Sequence, residues 1–333
     1  MTSPFPTLPL GPGVGEITLH PLRTAQPALQ SLRYQYPLKL VAPAPSTVSS
    51  PPSSPPTTHL VHTIFLLTYG GGLVAGDVIS LHVSLAAAAR LVLLTQGSTK
   101  VYKAPSGGAG ARQRMEVALR DDAMLCYLPD PVQPFAKSAF EQAQVYVLHG
   151  AEASLCVADW VAEGRRARGE RWGFGGYGSR NEVWGCEAGG GGRRLLVRDN
   201  VFLTDKHGAN GDFAAAVDGL GAVGTLILGG PGFRGVGRFF MEEFQAMPRV
   251  GGKKWDGSEG EEEETGRERW RARRLKEEGR DGVLWTAADV RGFVLVKFGA
   301  REVEGVKVWL RNMLREEGTV EATFGERALL CMK

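Results

Sequence analysis

The apolar residues of this chain fall in short runs rich in Val, Leu, Ile, Thr and Tyr, and Gly and Pro punctuate them. Runs of this length with such punctuation predict strands. Strands are expected over Val61–Tyr69, Val78–Leu85, Leu91–Thr95, Gln113–Leu119, Met124–Leu128, Ala143–Leu148, Ala153–Trp160, Glu182–Trp184, Leu195–Phe202, Gly224–Leu228 and Val294–Phe298. Gln113–Leu119 alternates polar and apolar positions, as a half-buried strand should. Helical periodicity is scarce. The best case is Glu302–Glu317, where Val303, Val306, Leu310, Met313 and Leu314 share one face; a weaker one spans Arg238–Met247. The pattern predicts an all-β body with one or two α-helices near the C-terminus.

Two stretches interrupt it. Residues 41–58 hold six prolines and no charge, which predicts a flexible insertion of polyproline character with neither strand nor helix. Within a second insertion at 249–282, positions 253–280 carry nine acids and nine bases in blocks. With Trp255, Trp270 and Leu275 as its main apolar residues, this part reads as a solvated loop or a short charged helix. No internal repeat is visible.

Composition narrows the classes further. A hydrophobic fraction of 43% and a net charge of +3 over 333 residues suit a globular protein and argue against nucleic acid. The N-terminus lacks the pattern of a secretory signal, and no stretch has the ~20 apolar residues of a membrane span. An intracellular, cytoplasmic protein is expected. Cys126, Cys156, Cys186 and Cys331 are dispersed, which suits reduced, mostly buried thiols. The six histidines are equally scattered, so no preformed zinc site is legible.

The densest chemistry lies in residues 156–184. Arg165, Arg166 and Arg168 sit between Gly164 and Gly169. Around them stand Asp159, Glu163, Glu170 and Glu182, with Trp160, Trp172, Phe174, Tyr177 and Trp184. Arg, Trp and Tyr are enriched where interfaces form, so the mixture reads either as a docking surface or as a Gly-rich corner with solvated arginines. The segment resembles the Asp-Trp…Glu-Gly-Arg…Gly-Glu signature of the urease accessory protein UreD family, also called UreH. Gly70–Asp77, Thr95–Tyr102 and Leu128–Phe135 resemble further blocks of that family, in the same order. So do Leu195–Asn200, Gly224–Ile227 and Val308–Arg311. The likeness covers roughly 14–40, 60–248 and 283–333. It departs at Thr68-Tyr69, where the family often shows a proline before the glycines, and at the two insertions.

The resemblance implies one large layered β domain over 1–333 and a non-catalytic role in urease maturation. Apo-urease and a UreF-like helical accessory protein would be partners, with a UreG-like GTPase joining indirectly. Nickel would be transient cargo rather than a tightly bound cofactor. Carried onto this chain, Asp77, Glu163, Glu170 and Glu182 become candidates for a weak nickel conduit. Trp160, Arg165, Arg168, Trp172 and Tyr177 become candidates for partner contact or for the conduit wall. Asp130, Asp159 and Asp199 share the setting of these acids, near glycines or aromatics. Oxygen ligands of this kind hold a divalent ion loosely enough to release it.

Catalytic motifs are not found. The glycines at 70–76 end in Asp77 where a phosphate loop needs lysine, and they fit a tight turn better. Neither a nucleophile elbow nor a Ser-x-x-Lys pattern occurs. The competing expectation is a small-molecule hydrolase or lyase on a β scaffold that no motif reveals.

Overall fold

The computed structural model describes residues 10–21, 26–49, 58–105, 108–186, 192–204, 217, 219–248 and 266–333. Its strands in chain order are β1 Val14–Pro21, β2 Pro27–Tyr34, β3 Leu38–Val41, β4 Ser46–Ser49, β5 Thr58–Thr68, β6 Gly72–Leu73 and β7 Val78–Leu85. The next are β8 Arg90–Thr95, β9 Thr99–Val101, β10 Ala111–Arg120, β11 Met124–Tyr127, β12 Val132–Pro134 and β13 Ala139–His149. The remainder are β14 Ser154–Ala162, β15 Gly176–Cys186, β16 Arg193–Thr204, β17 Ala222–Gly229, β18 Leu284–Val290 and β19 Phe293–Ala300. Among the described residues four α-helices accompany them: α1 Arg234–Gln245, α2 Gly266–Asp281, α3 Val303–Glu317 and α4 Thr319–Phe324.

Between β7 and β15 the chain winds as a coil. It runs up one sheet and down the other, so neighbouring strands within each sheet are parallel. One sheet has the order β16-β15-β13-β10-β7-β1-β2; the other runs β18-β19-β17-β14-β11-β8-β5-β3. We call them the outer and the central sheet. At one end the turns stack on each other: Ala88 N–H donates to Asp121 O at 3.1 Å and Ser154 N–H to Ala123 O at 2.9 Å.

Side-chain parity makes three layers from two sheets. In β8 every residue is buried. Leu91 and Leu93 face the outer sheet, meeting Ile17, Leu81, Val117 and Tyr146. Val92 and Leu94 face the opposite way, into a second core with Phe233, Phe240, Leu310, Phe324 and Leu329. The continuous apolar runs of β8 and β11 follow from covering both faces of the central sheet, as buried parallel strands require. Each fully buried Leu or Val contributes about 1.5–3 kcal/mol relative to exposure.

The body is mostly β, as the pattern predicts, but the described residues hold four α-helices where one or two were expected. Two further expectations are refined: part of the proline-rich stretch is a strand, and the charged insertion takes its helical alternative but docks rather than standing in solvent. Ser46–Ser49 forms β4, paired antiparallel with β5 from Ser46↔Val61 to Ser49↔Thr58, because Val48 packs against the second core. The rest of the Pro/Ser-rich insertion, 50–57, lies outside the described residues, as does 249–265. In the charged insertion, Trp270, Arg274 and Glu278 recur every four residues and form a buried stripe on α2. Glu243 on α1 has no exposed surface and meets Arg267, Arg271 and Arg274. Glu278 accepts from Trp285 Nε1 and Trp309 Nε1, both at 3.0 Å. A helix of such polarity docks because its buried charges are paired.

The four cysteines are free, and Cys126, Cys156 and Cys331 are buried. Among the described residues, no helix is long and apolar enough to cross a membrane.

Candidate functional site

Four of the sequence blocks meet at one end of the sandwich, where central-sheet strands hand over to outer-sheet strands. Gly70–Asp77, Thr95–Tyr102, Leu128–Phe135 and the loop after β14 form successive rungs there. β6 pairs with β9 (Gly72↔Lys100), β9 with β12 (Thr99↔Val132), and β12 with β14 (Val132↔Val161). Gly72 is required by this approach, since a Cβ there would stand 2.7 Å from both the Lys100 carbonyl oxygen and the Tyr102 ring. Side chains continue the stack: Tyr102 meets Phe135 edge-on at 5.4 Å, and the Arg165 guanidinium lies 4.1 Å from the Phe135 ring centre.

The last rung, 163–172, is closed by charge. Glu163 is buried and bonds Arg171 at 2.8 Å, with Arg166 at 3.7 Å. Arg165 forks onto both oxygens of Glu170 and thereby holds that carboxyl below the ordinary glutamate range. Arg166 reaches Glu302 at 2.9 Å. Glu163 N–H donates to Gly221 O and Trp172 N–H to Glu163 O, at 2.8 and 2.7 Å. Gly169 closes the 166–168 turn at φ 74°, a conformation glycine adopts without penalty.

Beneath this rung is a cavity of about 400 Å³ lined by Trp160, Tyr177, Val223, Leu284, Trp285 and Phe298, with Asp159, Thr225 and Lys297 as its polar points. Asp159 takes an inward position of β14, in line with Leu155, Val157 and Val161, and points between the sheets. Its carboxylate accepts from Gln142 Nε2 at 2.5 Å, from Asn181 Nδ2 at 2.6 Å and from the Ser179 hydroxyl. Burial pushes its pKa up against the pull of these hydrogen bonds, and Asp199 adds to the rise. Asp199 itself is bound by Lys297 and by Thr225 Oγ1 (2.8 Å). Gln142 and Ser179 also border a groove of about 560 Å³ on the far side of the outer sheet. Their side chains point inward to Asp159, so the same two residues border the groove and hold the carboxylate at the cavity.

The expected site residues are scattered over this end rather than gathered. Asp77 accepts from Val74 N–H at 2.8 Å and closes its own turn. Glu163 and Glu170 belong to the last rung. Glu182 lies apart, on the outer sheet's solvent side, under Arg198 and Arg180 with Trp184 Nε1 at 2.9 Å. Among the described residues, no group of three His, Cys, Asp or Glu is placed to hold a metal. Contact by Trp160, Trp172 and Tyr177 is corrected. They are 2%, 4% and 2% exposed, and the two indoles donate inward to Pro129 O and Leu220 O at 2.8 and 2.9 Å. These rings shape the interior; Trp160 and Tyr177 wall the cavity. Arg165 is committed to Glu170, while Arg168 is exposed.

Sequence reasoning missed Gln142, Ser179, Asn181, Thr225 and Lys297. The signal was present: Gln142, Gln144, Ser179 and Asn181 occupy inward positions of β13 and β15, and polar residues on a core face need partners.

Comparison with known proteins places the whole arrangement. Residues 14–329 match the sequence model of the UreD urease accessory protein family. Urease accessory protein 4 of Cryptococcus neoformans is 30% identical over 332 residues, covering 91% of this chain and 89% of the relative. Urease accessory protein UreD of Anaeromyxobacter is 30% identical over 322 residues, covering 97% and 90%. An uncharacterized UreD-like urease accessory protein of Schizosaccharomyces pombe is 28% identical over 284 residues, covering 85% and 87%. With its stacked rungs and its core spanned by one family match, this chain belongs to the UreD family of urease accessory proteins.

Proposed function

We propose that this chain is a non-catalytic maturation factor of the cytoplasm that binds apo-urease and a UreF-like helical protein. Through the latter it meets a UreG-like GTPase, and it assists delivery of nickel to the urease active site. Family membership supports the role in urease maturation. The observation that favours passage of an ion through this body is the Asp159 carboxylate at the cavity, held by Gln142 and Ser179, which also border the groove of the outer sheet.

Charge selects among the acids. Glu163, Glu170 and Glu182 are each neutralised by arginine, so a divalent cation would have to displace a guanidinium to reach them. Asp159 is held by neutral donors alone. A divalent ion reaching it would have no guanidinium to displace, and its oxygen chemistry suits a loosely held divalent ion. Within this reading Asp159 replaces Glu163, Glu170 and Glu182 as the principal conduit residue, with Gln142 and Ser179 as its approach.

The test is co-expression of the tagged chain with apo-urease and its accessory partners, followed by nickel addition and a urease assay. Recovery of the complex and activation dependent on this chain are expected. Asp159→Asn should leave assembly intact and lower activation several-fold. A folded chain that captures no partner would refute the role; full activation by Asp159→Asn would remove that residue from the path.

A further inference from the structure

The rung end carries an exposed face that the fold itself does not use. Tyr36 is 65% exposed, Tyr69 44% and Val74 51%, and they surround the turn at Gly70–Gly71. Tyr36 and Tyr69 meet with their rings tilted by 41° and their centres 5.6 Å apart, and Lys39 Nζ stands 5.7 Å over the Tyr69 ring. The face continues onto the next rung through Tyr102, whose hydroxyl donates to Gly70 O at 3.5 Å. There Lys100 and Lys103 are exposed.

Charge on this face is predominantly positive. Among the described residues the lysines in ion pairs are Lys297 and Lys307; Lys39, Lys100 and Lys103 have no carboxylate partner. Asp77, the acid of the glycine turn, accepts from the backbone N–H of Val74 and stands as one carboxylate against three lysines. Glu170 is neutralised by Arg165. Exposed tyrosines beside unpaired cations are the composition of a protein-docking patch, in which aromatic anchors supply affinity and charge supplies steering and selection.

We propose that the face formed by Tyr36, Tyr69, Val74, Lys39, Lys100 and Lys103 docks an acidic protein surface that presents an apolar anchor between carboxylates. The inference rests on the maturation reading and assigns one contact of that assembly to this end of the sandwich. The tyrosine pair receives the anchor. The lysines on either side receive the carboxylates and exclude partners without them.

Binding of the full-length chain to apo-urease and, separately, to the UreF-like protein tests this, in wild-type form and with Lys39→Glu, Lys100→Glu and Lys103→Glu combined. A second variant, Tyr36→Ser with Tyr69→Ser, probes the anchor without changing charge. The affected side chains are exposed or partly exposed, so near-wild-type melting of both variants is expected and is checked first. One of the two proteins should lose about tenfold or more in affinity with each variant, and its wild-type binding should weaken as salt screens the lysines. Affinities within twofold of wild type for both proteins would overturn the docking face while leaving the maturation reading intact. Failure of the wild-type chain to bind either would overturn that reading, and this proposal with it. Self-association of the wild-type chain that the charge reversal abolishes would assign the face to a second copy and overturn the acidic-partner assignment.

Discussion

Removal of the Asp159 carboxylate separates what it does for the fold from what it does in the cavity. In Asp159→Ala, Asn181 Nδ2 loses the acceptor it has at 2.6 Å inside a side chain that is 1% exposed. Ser179 also loses its acceptor, while Gln142 Nε2 keeps Ser179 Oγ at 3.0 Å and the Tyr177 oxygen at 3.3 Å. An orphaned buried donor costs about 1–3 kcal/mol. One full and one partial loss, offset by relief of the buried charge, leave a net cost of about 2 kcal/mol. In a chain of this size that lowers Tm by about 4 °C. Asp159→Asn behaves differently. After one flip of the Gln142 amide, its Oε1 accepts from the asparagine NH₂, and the asparagine oxygen accepts from Ser179 and Asn181. Ser179 and Asn181 thus keep their acceptor. Because the folded-state pKa of Asp159 is raised, folding favours the protonated acid relative to the unfolded chain. Its contribution is complete below the unfolded value of about 3.9 and is lost as pH rises through the folded value. The asparagine variant should therefore gain on wild type as pH rises from about 4 to 7. Denaturant titrations of the three proteins across that range provide the assay. A difference between wild type and Asp159→Asn that stays flat, or shrinks with rising pH, would refute the argument.

Other substitutions probe the supports around the cavity. Glu243→Ala leaves Arg274, which is 4% exposed, facing a vacated partner. It should cost about 3 kcal/mol, read as a fall in Tm, and a shift below about 1 °C would contradict it. Burial alone would raise the Glu243 pKa, but Arg271, Arg267 and Arg274 outweigh it and hold the value down. The stability from this carboxylate is thus present above the ordinary glutamate value and lost as pH falls through the folded one. Glu243→Gln should flatten that acid limb. Gly221→Ala would place a Cβ 2.4 Å from Arg301 O and 2.9 Å from Glu163 Oε1. It should cost about 1–3 kcal/mol by overpacking and raise the protease sensitivity of 163–172, whereas wild-type melting would show that the rung is not locked against 219–221.

Much of the β body was legible because parity and period are local. Val78–Leu85 is placed to the residue, and Glu302–Glu317 matches α3 to within one. What escaped was set by neighbours. The two residues of β6 and the three each of β9 and β12 are too short to show alternation; rung stacking makes them strands. Glu182–Trp184 grows into Gly176–Cys186 because β13 and β16 pair with it on either side, despite glycines that depress strand propensity. The aromatics of 160–177 read as a docking surface because their charged neighbours are adjacent in sequence. In space those charges pair among themselves and leave the rings inside. Asp159 was visible as an acid beside a tryptophan, but its partners lie on strands distant in sequence.

The winding from β7 to β15 also sets a limit on size. A stack of parallel turns has no intrinsic end, since each turn presents to the next the same row of backbone donors and acceptors that it received. Here the chain reverses direction on both flanks, with β1–β2 on one side and β15–β16 on the other, and β17 turns against β14 in the central sheet. These reversals interrupt the parallel template at each boundary. A further identical turn, whether from an internal duplication or from another molecule, finds no matching parallel neighbour. The number of turns is therefore fixed by the architecture rather than by chain length, and added sequence can enter only as excursions such as the two insertions.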